Sequence, residues 1–280
     1  MQATRSLFFV ECSCAMRRRR MLWLPPLLLV FCEGHSALRQ AQVFALASGG
    51  SVSLSFVDLV FLVYQGIPLY VPSANVPFQA PAFWLTQQLY VLFLACGCAQ
   101  PQTGFEAMLL VHATSRRRYW QSRQGSALAC TLLCYLEEYG VLFLLAKQHG
   151  AFFTLSEANL ALFGVSLSAT QRVAWSWYIF GLPLLVSLSF CICQSTLSLR
   201  IGTLPAFLLV GGFLACAAFD ARPVFLANAA MPLRSALCCA QGGTAVGYTA
   251  WLLALAAIFY LGGALFFKRM NVFLAKEGKS

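Results

Sequence analysis

The stretch VGYTAWLLALAAIFYLGGALFF, residues 246–267, contains no charged side chain. An apolar run of about 20 residues is long enough to cross a lipid bilayer as an α-helix. Two further stretches have a similar character: GSALACTLLCYLEEYGVLFLLA at 125–146 and VAWSWYIFGLPLLVSLSFCICQSTLS at 173–198. Together the three stretches predict an all-α, polytopic helical membrane protein.

The composition of the whole chain agrees with burial in a membrane. Of its 280 residues, 60% are hydrophobic and 10% are charged, whereas a soluble domain has about 45–50% apolar and about 25% charged residues. Too few charged side chains remain to cover a water-facing surface, and the mean hydropathy is +0.73. An ordinary soluble enzyme, a disordered chain and a secreted disulfide scaffold are therefore excluded.

Three shorter apolar runs complete a prediction of six transmembrane helices. They lie at 21–32, 83–98 and 204–219. The first run is short for a span and contains two prolines, and the basic residues before it also give it the look of a cleavable signal peptide. We prefer a true first span over a cleaved signal.

Clusters of positive charge predict the orientation of these helices. Lys and Arg accumulate in the cytoplasmic loops of membrane proteins. Here they cluster at 17–20, at 116–118 and at 268–279. Six spans with both termini in the cytoplasm place all three clusters on the cytoplasmic side.

The chain is predicted to form a single membrane domain with short polar ends. An apolar stretch at 51–70 is assigned to an outer or interfacial element, because it contains Asp58 and an added crossing would move one arginine cluster outside. An amphipathic helix is expected within 151–169. The predicted parts are a basic cytoplasmic leader over 1–20, a transmembrane domain over 21–268, a cytoplasmic loop over 100–124, outer segments over 33–83, 147–172 and 220–245, and a basic cytoplasmic tail over 269–280.

Catalytic and metal-binding patterns are not found in the sequence. The string closest to a phosphate-binding loop, 242–249, has Tyr248 where such loops require lysine. The 12 cysteines include no C-x-x-C pair and the 3 histidines lie away from the cysteine pairs, so zinc-ligand spacing is absent. No basic stripe alternates with aromatic residues that could stack on successive bases. We therefore expect no catalytic residue, cofactor or metal, and no nucleic-acid partner.

The segment 104–123 carries the most informative polar pattern. Its first part, GFEAMLLV, is amphipathic, and its second part, HATSRRRYWQSR, is basic and aromatic. The tendency of arginine to stay in the cytoplasm explains the charge by itself. An amphipathic stretch beside cationic and aromatic side chains also suits docking to a soluble partner.

This pattern resembles the membrane subunit of type 2 ATP-binding-cassette (ABC) exporters. Those permeases have a glycine, a Leu-Leu pair, Ser-Arg and an aromatic pair in their first cytoplasmic loop. Further similarities are the string LANAAMPLRS at 226–235, before the last span, and Trp84 following Pro81 at the second span. The matching loop residues are Gly104, Leu109, Leu110, Ser115, Arg116, Tyr119 and Trp120.

The resemblance implies a permease subunit without catalytic residues of its own. In the family this loop forms a coupling helix that contacts a separate ATPase subunit, and a second permease chain helps to enclose the transport path. Export of an unidentified substrate by alternating access, across a bacterial plasma membrane, is the implied activity. The alternative class is a non-transporting polytopic membrane protein, either an assembly factor or a membrane-embedded enzyme. The implied coupling residues are Gly104, Glu106, Ser115, Arg116, Arg117, Arg118, Tyr119 and Trp120.

Two adjacent acidic residues, Glu137 and Glu138, lie inside the predicted span 125–146. A charged side chain at mid-membrane costs about 2.5–3.5 kcal/mol on insertion scales. Neighbouring residues point about 100° apart on a helix, so at most one of the two faces a narrow path. The pair is a candidate intramembrane polar site. Either it belongs to a substrate path or is linked to protons, or one glutamate is protonated and hydrogen-bonded to a neighbouring helix, or both line a solvated cavity of structural use.

Overall fold

The computed structural model describes residues 20–48, 52–68, 80–98, 115–148, 153–168, 174–220, 222 and 225–269. Within these ranges the chain forms helices and connecting turns but no β-strand, which confirms the predicted all-α class. The α-helices are α1 (Leu24–Ser48), α2 (Phe56–Tyr64), α3 (Ala82–Cys98), α4 (Arg116–Lys147), α5 (Glu157–Leu162), α6 (Leu182–Ile201), α7 (Thr203–Phe219) and α8 (Ala245–Arg269).

Four helical segments among the described residues are long and apolar enough to cross a membrane. They are Met21–Ala47, Arg116–Lys147, Trp177–Ile201 and Ala245–Lys268. The segment Trp177–Ile201 joins α6 to the π-helical turn that precedes it. Two shorter apolar helical segments, Ala82–Ala95 and Thr203–Phe219, lie beside them. This set is compatible with a multi-pass membrane protein.

Hydrogen bonds between helices show that α4 and α6 run in opposite directions. Tyr135 in α4 bonds Ser187 near the start of α6, and Gln124, earlier in α4, bonds Ser195 near the end of α6. Helices α6 and α8 instead run in the same direction, because Ser189 and Thr196 bond the carbonyls of Leu252 and Phe259. The start of α4 therefore lies at the same end of the bundle as the ends of α6 and α8.

That end of the molecule is called the basic end here, because Arg116, Arg200 and Lys268 lie there. Helix α6 is the central helix of the bundle and contacts α3, α4, α7 and α8. In the most apolar stretch of the segment Trp177–Ile201, 67% of the residues are buried, compared with 17% in the corresponding stretch of α8. Helix α8 thus presents most of its apolar surface outward.

Helix α1 extends further than the apolar run 21–32 indicates. Its glycine, Gly34, packs on Leu142 and Leu145, near the end of α4 that is opposite to the basic end. Phe44 then stacks edge-on against Phe163, which follows α5. The residues after 32 are polar but include good helix formers such as Ala, Leu, Gln and Arg. Their polar face is exposed to solvent, so the apolar run ends at residue 32 although the helix continues to Ser48.

Helix α2 is an interior element, although its sequence indicates an outer or interfacial position. Every residue from Phe56 to Tyr64 is buried. The Asp58 side chain caps the helix through a reciprocal pair of bonds with Ser55. It also accepts hydrogen bonds from the Ser156 amide and the Asn159 side chain, both at 2.9 Å. Those hydrogen-bond donors stabilise the buried carboxylate, so Asp58 can lie in the interior and need not be exposed to solvent.

The connection between α7 and α8 is also packed into the bundle. Two short 3₁₀ turns, Leu226–Ala230 and Pro232–Arg234, form its first part. The Trp84 indole of α3 donates a hydrogen bond to the Ala230 carbonyl at 3.1 Å. The buried Arg234 guanidinium donates to the Ala217 and Ala218 carbonyls at the end of α7. Because a helix C-terminus carries partial negative charge, this cation stabilises both the turn and the helix end.

Candidate functional site

The basic part of the predicted loop 100–124 is helical, because the helix that follows the loop begins before residue 125. A loop is expected up to residue 124, but α4 begins at Arg116, with Ser115 as its N-cap. The Ser115 hydroxyl accepts a hydrogen bond from the Arg118 amide at 3.3 Å. An N-cap serine ahead of residues that tolerate helix well is sufficient to start the helix there. The candidate residues Gly104 and Glu106 lie outside the described residues.

Tyr119 and Trp120 point into the bundle. Their side chains are only 4% and 1% exposed, and their rings stack on Phe267 of α8 at centroid distances of 5.7 and 6.0 Å. Trp120 also lies over Gly263, which has no side chain to separate the two helices. The aromatic pair therefore joins α4 to α8 instead of presenting a surface to a soluble partner.

The arginines of the same turn form the outer part of the basic end. Arg117 and Arg118 are exposed and Arg116 is half-buried. The Arg116 guanidinium donates to the Lys268 carbonyl near the end of α8 at 3.1 Å. This places a cation at the C-terminus of a helix, where it is favourable. The surface available to a partner at this point is cationic, and Arg117 is its clearest exposed member.

Glu138 is the centre of a buried polar cluster that draws on three helices. Its carboxylate is 0% exposed. It accepts hydrogen bonds from the Tyr64 hydroxyl of α2 and from the Gln87 side-chain amide of α3. The Cys134 thiol, one turn earlier in α4, donates to it at 3.3 Å. Glu137 is exposed, so the adjacent acidic residues occupy different environments, as the 100° rotation between them requires.

A second hydrogen-bonded group lies directly beside this cluster. The Tyr135 hydroxyl bonds Ser187 at 2.8 Å and receives a bond from Gln88 at 3.0 Å. The Tyr64 ring stacks on the Tyr135 ring at 6.0 Å and meets the Tyr139 ring edge-on at 5.8 Å. The Glu138 carboxylate is thus surrounded by aromatic and amide side chains, and none of its described neighbours carries a positive charge.

Polar contacts continue along the interface of α4 and α6 toward the basic end. The Thr131 hydroxyl and the Cys191 thiol are 3.3 Å apart, and Gln124 donates to Ser195 at 2.6 Å. The Gln194 amide in the same region is buried and has no hydrogen-bond partner. These contacts define the polar seam: Gln124, Thr131 and Tyr135 on α4 meet Ser195, Cys191 and Ser187 on α6.

The sequence pattern indicates Glu138 but none of the residues that bond it. Gln87 and Gln88 lie in an apolar run and are almost fully buried, which is unusual for glutamine. A pair of amides inside a predicted span is therefore a signal that could have pointed to the site. Tyr64 could not have been found in this way, because nothing in the local pattern of 51–70 indicates that it meets α4.

The end opposite to the basic end carries two adjacent cysteines. Cys238 and Cys239 form no disulfide bond and are partly buried. Burial raises the pKa of the Cys238 thiol to about 12. Among the described residues, no group of three or more His, Cys, Asp or Glu side chains could hold a metal ion.

No protein-family model, curated protein or solved structure matches this chain. Its class is therefore defined by composition and fold: the part of the chain that the structure describes is all-α, and its four long apolar helices are compatible with a multi-pass membrane protein.

Proposed function

We propose that the chain is the transmembrane permease subunit of an ABC exporter in a bacterial plasma membrane, driven by a separate ATPase subunit. The observation that carries this proposal is the continuity of α4, which joins the basic end to the Glu138 cluster. From Arg116 to Glu138 a helix rising 1.5 Å per residue covers about 33 Å. A force applied at the exposed arginines is transmitted along this rigid element to the buried polar site.

The contacts of α4 suit it to move together with α8. Trp120 and Tyr119 stack on Phe267, and Arg116 bonds the end of α8, so the two helices are joined at the basic end. The partners of Glu138 on α2 and α3 are different elements. Movement of the α4–α8 pair would therefore displace Glu138 relative to Tyr64 and Gln87, which is the kind of rearrangement that alternating access requires.

Six crossings with both termini in the cytoplasm are part of the proposal. Helix α3 runs antiparallel to α4, since Trp84 bonds the α7–α8 connection at the end opposite to the basic end and Tyr90, six residues later, bonds the Leu22 carbonyl just before α1. Helix α7 reverses the direction of α6 after a turn at Gly202, whose φ of +85° lies in the region that favours glycine. These directions support counting the shorter helices as crossings that end at the same two faces as the longer ones.

A second permease chain is also part of the proposal. Glu138, Gln87 and Ser187 are at most 1% exposed, so the bundle is filled at their level. A substrate would then pass between two chains and not through the interior of one.

The test is co-purification of an ATPase subunit, identified by mass spectrometry, with the full-length chain from detergent. We expect Arg117→Glu to abolish co-purification and export, because it reverses a charge on the exposed surface, and to leave membrane insertion intact. Lys147→Glu is the matched control, since Lys147 is an exposed cation at the opposite end of the same helix. Full ATPase recovery with Arg117→Glu would remove the coupling role of the basic end.

A further inference from the structure

Two buried polar atoms beside the Glu138 cluster lack a hydrogen-bond partner, Gln87 Oε1 and the Tyr139 hydroxyl, and only the first belongs to a residue that bonds Glu138 itself. The Gln87 side-chain nitrogen donates to both carboxylate oxygens of Glu138. The oxygen of the same amide, Gln87 Oε1, is buried and accepts no hydrogen bond. Burying an amide oxygen without a donor is costly, and native structures seldom leave such an atom unexplained.

The charge of Glu138 is similarly uncompensated. Its described contacts are a phenol, an amide and a thiol, which are all neutral donors. A fully buried carboxylate without a cationic partner carries a desolvation cost of several kcal/mol, and proteins usually relieve that cost by neutralising the group. The site therefore lacks one positive charge and, at Gln87 Oε1, one donor.

A single proton on Glu138 supplies both the missing positive charge and the missing hydrogen-bond donor. A neutral carboxylic acid and a primary amide form a cyclic pair in which the acid O–H donates to the amide oxygen and the amide N–H donates to the acid carbonyl. Tilting the Gln87 amide in its plane converts the present two-fold N–H contact into that ring. Because the donors already lie within hydrogen-bond distance of the carboxylate, a proton fits where a metal cation would have to displace them.

We infer that Glu138 is an intramembrane proton-binding site, and that Gln87 holds the proton in a cyclic acid–amide pair. The proton comes from water and adds to a carboxylate oxygen, and its release regenerates the anion. Ionised Glu138 accepts charge-assisted hydrogen bonds that tie α2 and α3 to α4. Protonation weakens the bond from Tyr64, so uptake of a proton loosens α2 from α4. This inference does not depend on the permease proposal.

The groups that face Glu138 do not offer another proton acceptor of comparable strength. Tyrosine and cysteine give up protons only well above neutral pH, so they are donors to the carboxylate under ordinary conditions. Glu137 points away from the cluster and is exposed. The titratable groups around the site are Tyr64 on α2 and Cys134, Tyr135, Glu137 and Tyr139 on α4, with Gln87 on α3 and Ser187 on α6 as uncharged neighbours.

The experiment is an infrared pH titration of the full-length protein in lipid nanodiscs. A protonated carboxyl group has a carbonyl stretching band that the carboxylate lacks. We expect such a band to appear on acidification in the wild type, to be lost in Glu138→Gln and to be kept in the matched control Glu137→Gln. In Gln87→Leu the band should move to higher frequency, because the acid loses both hydrogen bonds of the ring.

Two results would overturn the inference. A wild-type spectrum with no band that depends on Glu138 would mean that the group stays ionised, and a band unmoved by Gln87→Leu would mean that the amide does not hold the proton. If Glu138→Gln does not fold, the shift of the band in Gln87→Leu, a variant that keeps every carboxyl group, assigns it to Glu138 instead. The titration needs no ATPase, so its outcome is separate from the co-purification test.

Discussion

The contact between Trp120 and Gly263 allows a sharp test of how α4 and α8 are packed. A methyl group added at Gly263 would lie 2.5 Å from Trp120 Cζ2 and 2.8 Å from Thr196 Oγ1. Distances below 3.0 Å are not tolerated, so α8 must move away from α4 or Trp120 must leave Phe267. At the adjacent Gly262 an added methyl meets nothing within 4 Å. The two glycines therefore form a matched pair.

The expected size of the effect follows from two opposing contributions. Overpacking of a well-filled interior costs about 1–3 kcal/mol. Replacing glycine by alanine within a helix stabilises it by about 0.8–1.0 kcal/mol. Gly262→Ala should show only the stabilising contribution, whereas Gly263→Ala carries both. We therefore expect Gly263→Ala to be less stable than Gly262→Ala by about 1–3 kcal/mol.

Reversible unfolding in mixed detergent micelles, followed by tryptophan fluorescence, measures this difference. In a background that keeps Trp120 as the only one of the six tryptophans, the same spectra report on its indole, and a red shift in Gly263→Ala would show that Trp120 has been displaced from its buried position. Equal stability of the two variants, or greater stability of Gly263→Ala, would refute the packing described for the basic end.

Two further predictions concern the opposite end of the molecule. Arg234→Met removes the donors to the Ala217 and Ala218 carbonyls, so the free energy of unfolding should fall by about 1–3 kcal/mol; an unchanged thermal midpoint in detergent would contradict this. Because burial raises the pKa of Cys238 to about 12, alkylation of a variant with Cys238 as its only cysteine should keep accelerating with rising pH. Mass spectrometry measures that rate, and a plateau just above the ordinary cysteine pKa of about 8.5 would disprove the shift.

The all-α membrane class was predictable because it depends on length and composition alone. The segments 125–146 and 246–267 lie within two of the long apolar helices of the structure. Glu137 and Glu138 were predicted to differ, because helix geometry separates the directions of adjacent residues. Both inferences use information that is local in sequence.

The positions of Asp58 and Trp120 could not be predicted for the opposite reason. The charge of Asp58 is stabilised by Ser156 and Asn159, which are about a hundred residues away in the chain. The ring of Trp120 is covered by Phe267 on the last helix. A hydropathy pattern indicates how deep in the membrane a charged or aromatic side chain lies. It does not identify the residue, distant in sequence, that bonds or covers that side chain.

The single guanidinium of Arg234 has a consequence for the way this chain opens. It bonds the carbonyl of Ile67, which is 167 residues distant in sequence, the side chain of Asn228 and the last turn of α7. Residue 67, the Asn228 side chain and the last turn of α7 are thus held by the nitrogen atoms of one guanidinium, so displacement of this group breaks all of these bonds at once. The backbone amides of these three segments should exchange with solvent deuterium as one cooperative unit, and not as three separately fraying pieces.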